Sequence, residues 1–571
     1  MSRKRVGAYY PDMVAFTRST MLDELRAVAG GRAEPFDILV IGGGITGVGV
    51  ALDAAARGLR TALVERDDFA SGTSSKSSKM VHGGLRYLQN GDARLVAQAL
   101  RERRRLMRNA PHLVEILPFM IPILTKDGVV SKKIAKALGS AMWMYDAVGG
   151  WRIGKLHGRA SAEEAAAHFP TTHLDKLSAG YIYYDAAADD ARLTLTIART
   201  AAEHGAIVVN RCPVVTITHD GDGAATGAVV DADGEHLVVP ARCVVNAAGV
   251  WADEVRALDE ADHTPSIRPA KGVHITIPWS KVRNDIAVII PVRADKRSLF
   301  IVPWGRQPDG TFRHAYVGTT DTDDDGDLDN PQCTAADVDY VLTALNDALT
   351  ERISTEDITG VWAGLRPLVR SADERATSDK TADLSRKHQV AVSTAGVVRV
   401  NGGKLTTYRE MAEDTVDVAV RAIGAPRSAR RSPTRRLPLL GADGAATLEP
   451  GTLDAHLQSR YGTLADEVRA LIAFDPSLAE PLVPGHPYLR AEGVHAVRHE
   501  MATTVDDILL RRTRVHLFDR SAALEAAPAV ADLLATELGW DADETARQLD
   551  RYRQLCHDEE TAGAQLAHTA D

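Results

Sequence analysis

Aromatic side chains are scarce in this chain, 5% of 571 residues, which removes the base-stacking platforms that single-stranded nucleic-acid binders use. Nor is there an excess of positive charge. Lys and Arg number 67 against 77 Asp and Glu, a net −10, so no nucleic-acid partner is expected from bulk electrostatics. Cysteine is rarer still: Cys212, Cys243, Cys333 and Cys556 never form a C-x-x-C pair. That spacing argues against a zinc site or a disulfide scaffold, and a reducing cytoplasm fits best. No run reaches the ~18 uninterrupted apolar residues of a membrane-spanning helix. The longest candidate, Ile38 to Leu52, is bracketed by Asp37 and Asp53 and broken by glycines. The basic residues Arg3, Lys4 and Arg5 lead into no apolar core, so no secretory signal is read. What remains, 45% hydrophobic and 25% charged residues, is ordinary for a globular protein of about three domains.

The first informative segment runs from Phe36 to Arg66. Ile38-Leu39-Val40-Ile41 reads as a buried parallel strand. It enters Gly42-Gly43-Gly44 and then a small-residue stretch to Arg57 that predicts a helix ended by Gly58. Thr61-Ala62-Leu63-Val64 is the next strand. Gly42, Gly44 and Gly47 fit G-x-G-x-x-G: a tight turn, a close backbone approach to a pyrophosphate, and a close helix–strand packing. The helix start offers free N–H groups, with Ile45 and Thr46 in its first turn, and the positive dipole end to phosphates. Glu65, 18 residues past Gly47, stands where an acid hydrogen-bonds ribose hydroxyls. Strand, glycines, helix, strand and acid in order predict a dinucleotide site.

Ser71 to Tyr87 reads SGTSSKSSKMVHGGLRY, a hydroxyl-rich loop that ends in paired glycines able to approach a flat ring. This segment resembles the FAD-dependent glycerol-3-phosphate dehydrogenases of the D-amino-acid-oxidase-like flavoprotein superfamily. Further segments resemble the same family in the same order. These are Asp185 with Asp189-Asp190-Ala191-Arg192-Leu193, Val244 to Gly249 with Trp251, and Lys271-Gly272-Val273-His274. Gly364 to Leu368, Gly402 to Arg409 and Asp506 to Thr513 follow. The resemblance implies an α/β fold: a Rossmann-like FAD-binding domain, an interleaved α+β substrate domain and a C-terminal helical domain. The expected bounds are 36–124, 192–263 and 358–423 for the discontinuous FAD-binding part, 125–191 and 264–357 for the substrate part, and 438–571 for the helices. Gly424 to Leu437, rich in Pro, Arg and Ser, reads as a linker.

The resemblance implies FAD as cofactor. Its expected contacts, besides the glycine unit, are Arg66, Thr73, Ser74, Ser75, Ser77 and Ser78. His82, Gly83, Gly84, Leu85, Val214, Ala248 and Gly249 follow, and then Arg366, Gly403, Lys404, Leu405 and Thr406. By itself, Gly402-Gly403-Lys404 before a helix from about Tyr408 to Arg421 is another glycine turn at a helix start. It suits the electron-rich edge of a flavin, or serves as a plain helix cap. The implied reaction is oxidation of sn-glycerol 3-phosphate to dihydroxyacetone phosphate. A hydride leaves C2 for flavin N5 and the C2 hydroxyl gives up a proton. Substrate contacts are expected from Arg86, Tyr87, His274, Arg366 and Lys404, with arginine favoured for its fork of donors toward phosphate. His274, Arg366 and Lys404 are the catalytic candidates. A histidine titrates near ~6.5 and can take up a proton at neutral pH. On an apolar strand His274 also reads as a core residue, and His82 is the competing base.

Two readings of acceptor and substrate stay open: a quinone or oxygen as oxidant, and an amino-acid or amine oxidase built on the same FAD half. A homo-oligomer is compatible with the sequence. Ser131 to Gly158 carries Lys132, Lys133, Lys136, Arg152 and Lys155 among Met142, Trp143, Met144, Trp151 and other apolar residues. This pattern suits peripheral contact with anionic lipid on the inner face of the cell membrane, or a buried helix with a basic edge. Asp321, Asp323, Asp325 and Gly326 copy the opening of a calcium loop. The twelfth position is Gln332 rather than a bidentate Glu, so a solvated turn is expected and no metal.

Overall fold

The computed structural model describes residues 16–85, 92–124, 132–260, 264–292, 297–324, 326–369, 387–444 and 452–564, with side chains in the helix that begins at Lys132 described from residue 139 onward. Ile38–Ile41 pairs in parallel with Thr61–Val64 on one side and Val244–Asn246 on the other. All three strands are buried along their length, as short apolar runs are when helices cover both faces of a sheet. The six-stranded order is Gln389–Val392, Val398–Asn401, Val244–Asn246, Ile38–Ile41, Thr61–Val64, Ile207–Val209. The helix Ile45–Ala56, made of small residues, packs between the helices Asp190–Glu203 and Tyr408–Ala422.

A second, ten-stranded sheet stands against this unit. Its spine runs Thr322–Asp323, Ile267–Pro278, Phe312–Gly318, Ser298–Arg306, Ala287–Pro291, Val114–Leu124, Leu177–Ala188, Met80–Val81; Gly360–Val369 pairs with Ile267–Pro278 and Gly158–Ser161 with Leu177–Ala188. Three of these strands were expected inside the FAD-binding stretches 36–124 and 358–423. Met80–Val81, Val114–Leu124 and Gly360–Val369 all pair in the larger sheet instead. The reason is their partners. Val114–Leu124 matches Leu177–Ala188 residue by residue over nearly its whole length, and no contiguous pattern in the chain reveals so distant a register. Side chains alternate between the faces. Met120, Val273, Ile275, Val317 and Val361 enter one core, whereas Phe119, Tyr183, Tyr316 and Trp362 enter another. His274 lies between Val273 and Ile275, and so shares the aromatic face with Tyr316 and Trp362.

The C-terminal part is helical, with Leu453–Tyr461, Ala465–Phe474, Arg490–Glu500, Arg520–Leu538 and Ala542–Ala564 enclosing their own core. The stretch Gly424 to Leu437, expected as a linker, is instead a packed strap with short 3-10 turns at Arg427–Arg430 and Thr434–Arg436. Its Ser432 and Thr434 hydroxyls donate to buried Asp53, and its Ala429 carbonyl accepts from Arg57. Serine and threonine there satisfy a buried carboxylate, which composition alone does not distinguish from a solvated loop. The motif near Asp506 to Thr513 docks the helical part onto the first sheet. Arg511 and Arg512 both donate to Asp68, which is fully buried. Among the described residues no helix is long and apolar enough to cross a membrane.

Candidate active site

A cavity of about 500 Å³ lies between the two sheets. One wall is the glycine unit. Gly42, Gly44, Ile45 and Thr46 line it, while Gly47 sits behind. A Cβ on Gly47 would fall 1.9 Å from the Gly42 carbonyl oxygen, so only glycine lets the helix start rest on the strand end. Glu65 and Arg66 line the same wall. The Glu65 carboxylate accepts the backbone N–H of Gly43 at 2.5 Å and of Asp67 at 2.7 Å, and burial pushes its pKa up. It thereby braces the turn it was expected to serve. Arg66 lies over the Trp251 ring at 4.9 Å, and Val214, Ala248 and Gly249 complete this side.

The serine-rich loop forms the floor. Thr73, Ser74, Ser77, Ser78 and His82 line the cavity, each tied to a different element. Ser74 Oγ accepts the Ile45 N–H at 2.8 Å and so caps the glycine-unit helix. Thr73 Oγ1 donates to the Leu365 carbonyl. Ser77 donates to Asp190 Oδ2 through its N–H at 3.0 Å and its hydroxyl at 2.6 Å. Ser75 points away from the cavity, and its carbonyl accepts from Arg514. Gly83, Gly84 and Leu85 do not line the cavity either. Gly83 was expected to approach a flat cofactor ring, yet a Cβ there would lie 2.5 Å from both Leu100 and the Tyr145 hydroxyl. Its N–H donates to Asp185 at 3.2 Å, and Leu85 packs in the aromatic core. The close approach Gly83 permits is to the protein interior. Arg86 and Tyr87 lie outside the described residues.

The facing wall comes from the large sheet. His274 and Arg366 reach the cavity from neighbouring paired strands, joined there by Thr319. His274 stacks on Trp362, ring centroids 4.7 Å apart and 10° from parallel. Its Nε2 lies 2.8 Å from Ser78 Oγ. Burial, with Lys79 and Arg366 nearby, holds the imidazole well below its ordinary pKa, so it is neutral at neutral pH. Arg366 is a fixed cation. It donates to Asp321 at 3.1 Å, to the Thr319 hydroxyl at 3.2 Å and to the Thr320 carbonyl at 3.1 Å. The acidic stretch is thus not merely a solvated turn. Asp321 holds Arg366, Asp323 pairs with Arg268, and Asp324 lies 3.5 Å from Lys271. Gly403, Lys404, Leu405 and Thr406 close the far end, and Thr406 Oγ1 accepts the His82 N–H at 3.1 Å.

Several residues of this site escaped the sequence reading. Lys79 is fully buried, its ammonium 4.1 Å from the Trp362 ring centroid and 3.8 Å from Asp190. Burial lowers its pKa to about 7. Trp362 Nε1 and the Tyr316 hydroxyl donate to the Ser77 and Ser78 carbonyls. Arg514 donates to Asp190, which ties the C-terminal helices to the loop beneath the cavity. The only available signals were the D-D-A-R-L and D-D-I-L-L-R-R-T segments themselves; their meeting is a tertiary event.

The cavity is lined by a glycine turn and helix start, a carboxylate-braced second strand, and Gly403-Lys404. The residues present fit FAD. Comparison with known proteins decides the family: the model described as FAD dependent oxidoreductase matches residues 37–409. This chain belongs to the FAD-dependent oxidoreductases. Residues 432–545 of this oxidoreductase match the model described as the C-terminal domain of alpha-glycerophosphate oxidase. It is 42% identical over 543 residues to glycerol-3-phosphate dehydrogenase 2 of Mycobacterium tuberculosis, covering 92% of this chain and 89% of that one. It is 36% identical over 559 residues to the human mitochondrial glycerol-3-phosphate dehydrogenase, covering 91% and 73%. The solved glycerol-3-phosphate dehydrogenase of Bacillus halodurans, complexed with FAD, superposes with a TM-score of 0.74 at 29% identity, covering 96% of this chain and 98% of that one. The fold class expected from the sequence stands, with FAD as its cofactor.

Proposed function

We propose that this protein oxidises sn-glycerol 3-phosphate to dihydroxyacetone phosphate and passes the electrons to a quinone. One observation carries the reading: His274 and Arg366, from the large sheet, line the same cavity as the dinucleotide unit of the first sheet. Bound FAD supplies the acceptor for the hydride that leaves C2. The chain supplies the rest. His274 is neutral and stacked, and its Nε2 accepts the proton of the C2 hydroxyl when that hydroxyl replaces Ser78 Oγ as its partner. Arg366, locked by Asp321 and the Thr319-Thr320 segment, stabilises negative charge growing on that oxygen. Lys404 closes the same space. Arg86 and Tyr87 are the proposed phosphate clamp, with Arg86 forming the charge-assisted contacts.

The quinone reading is supported by the surface around the helix Lys132–Val148. Trp143, Met144, Trp151 and Leu156 are exposed at 64%, 47%, 51% and 56%, and Arg152 lies over the Trp151 ring at 5.2 Å. Exposed tryptophan beside cations suits shallow insertion among anionic lipids, where a quinone is dissolved. Anaerobic addition of glycerol 3-phosphate is expected to bleach bound flavin, and a soluble quinone is expected to restore it faster than oxygen does. Flavin that stays oxidised with this substrate overturns the reading. Faster recovery with oxygen keeps the substrate and overturns the acceptor.

A further inference from the structure

Outside the cofactor cavity, a second cavity of about 500 Å³ opens between the large sheet and the C-terminal helices. It shares no lining residue with the first. His314 enters it from the strand Phe312–Gly318, His486 from the loop before the helix Arg490–Glu500, and Asp519 from the start of the helix Arg520–Leu538. One nitrogen of each histidine and one carboxylate oxygen all lie within 4.8 Å of one another.

We propose that His314, His486 and Asp519 form a binding site for a divalent transition-metal ion of the Zn²⁺ type, which clasps the C-terminal helices to the large sheet. The donor chemistry fits, since imidazole and carboxylate are common zinc ligands. The spacing fits as well. His486 Nε2 and Asp519 Oδ2 are 3.3 Å apart, about the edge of a tetrahedron whose ligands sit ~2.0–2.1 Å from zinc. The imidazoles of His314 and His486 are nearly parallel, 9° apart with centroids at 6.1 Å, so one ring must rotate about its Cβ–Cγ bond for both nitrogens to meet one ion. A second observation is independent of the spacing. His314 is only 9% exposed, and its Nδ1 is buried without a hydrogen-bond partner. An imidazole in that setting satisfies its nitrogens through a backbone group, water or a metal. Asp519 Oδ1 accepts the Ala522 N–H at 3.0 Å, which leaves Oδ2, the oxygen paired with His486 Nε2, as the ligand atom, with the ion replacing that contact. Arg313, the nearest lining cation, has its guanidinium turned onto the Gly485 carbonyl. Three protein ligands leave a fourth position for water from the cavity.

The competing account is an ordinary His486–Asp519 ion pair with His314 stacked beside it. The test uses FAD-loaded full-length protein stripped of metal with a chelator. Calorimetric titration with ZnCl₂ is expected to give one site per chain, and bound zinc is expected to raise the melting temperature. Co²⁺ in its place is expected to show visible d–d bands to the red of the flavin. Asp519→Asn retains the helix cap, and His486→Gln keeps a polar side chain at the half-buried position; each is expected to weaken binding about 100-fold or more. Each is also expected to abolish the rise in melting temperature, with flavin content unchanged. Absence of a stoichiometric site in the wild type overturns the proposal. So does binding that both variants leave within about threefold.

Discussion

The two walls of the cavity are built on different principles. The dinucleotide wall is made mostly of backbone: a glycine turn, a helix start, and Glu65 spent on the N–H groups of Gly43 and Asp67. The geometry of its glycine turn and helix start is local, held by Glu65 and Ser74 within about thirty positions. The opposite wall is made of side chains. His274 needs Trp362, Ser78 and Tyr316, and Arg366 needs Asp321 and Thr319, delivered by other strands, by the serine loop and by the turn after Phe312–Gly318. A backbone site tolerates changes of side-chain chemistry but no added bulk. A side-chain site tolerates modest bulk but not the loss of one functional group.

Substitutions can break this contrast. Gly47→Val should have the largest effect, with flavin content falling to near zero, because its Cβ would overlap the Gly42 carbonyl and neither backbone can retreat. Recovery of yellow, folded protein would show that the first wall is not backbone-limited. His274→Ala should keep its FAD while anaerobic flavin reduction slows by about 10²–10⁴-fold, the usual cost of a lost general base. A rate within about threefold of wild type would move the base to His82. Arg86→Ala should lower kcat/KM for glycerol 3-phosphate by about 10²-fold and leave the poor rate with glycerol nearly unchanged, because only the phosphorylated substrate uses the clamp. Equal losses on both substrates would make Arg86 a support of the flavin or the fold.

A smaller effect concerns pH. A depressed pKa means that His274 takes up a proton only well below its ordinary value of ~6.5. The flavin-reduction rate should therefore stay level as pH falls through that value and drop only in more acidic solution. A titration centred near 6.5 would show an imidazole more solvated than its stacked, buried setting implies. Smallest is the surface effect. Replacing Trp143 and Trp151 with serine should reduce flotation with anionic vesicles and leave turnover on a soluble acceptor unchanged. Flotation unchanged by both substitutions would remove this face from the membrane reading.

Legibility followed the same contrast. The turn of Gly42, Gly44 and Gly47 was readable because turn chemistry and helix packing act over short spans. His274 and Arg366 were found through resemblance, and no spacing rule links them to Ser78 or Asp321. Gly83 misled: paired glycines announce a close approach but do not say to what, and here the neighbours are Leu100 and Tyr145. The strap at Gly424 to Leu437 misled because polar residues that cap buried groups have the composition of a linker.

By itself the sequence determined the α/β class, the dinucleotide turn, the helical C-terminal part and the absence of a long apolar span, since each rests on local backbone preference or on composition. Only the tertiary structure decided which strands belong to the large sheet, that Lys79 is buried against Trp362, that Arg514 grips Asp190 beneath the serine loop, and that His314 faces His486 and Asp519. Those outcomes depend on pairings and dielectric surroundings created when distant segments exclude water together, and no local pattern of residues encodes them.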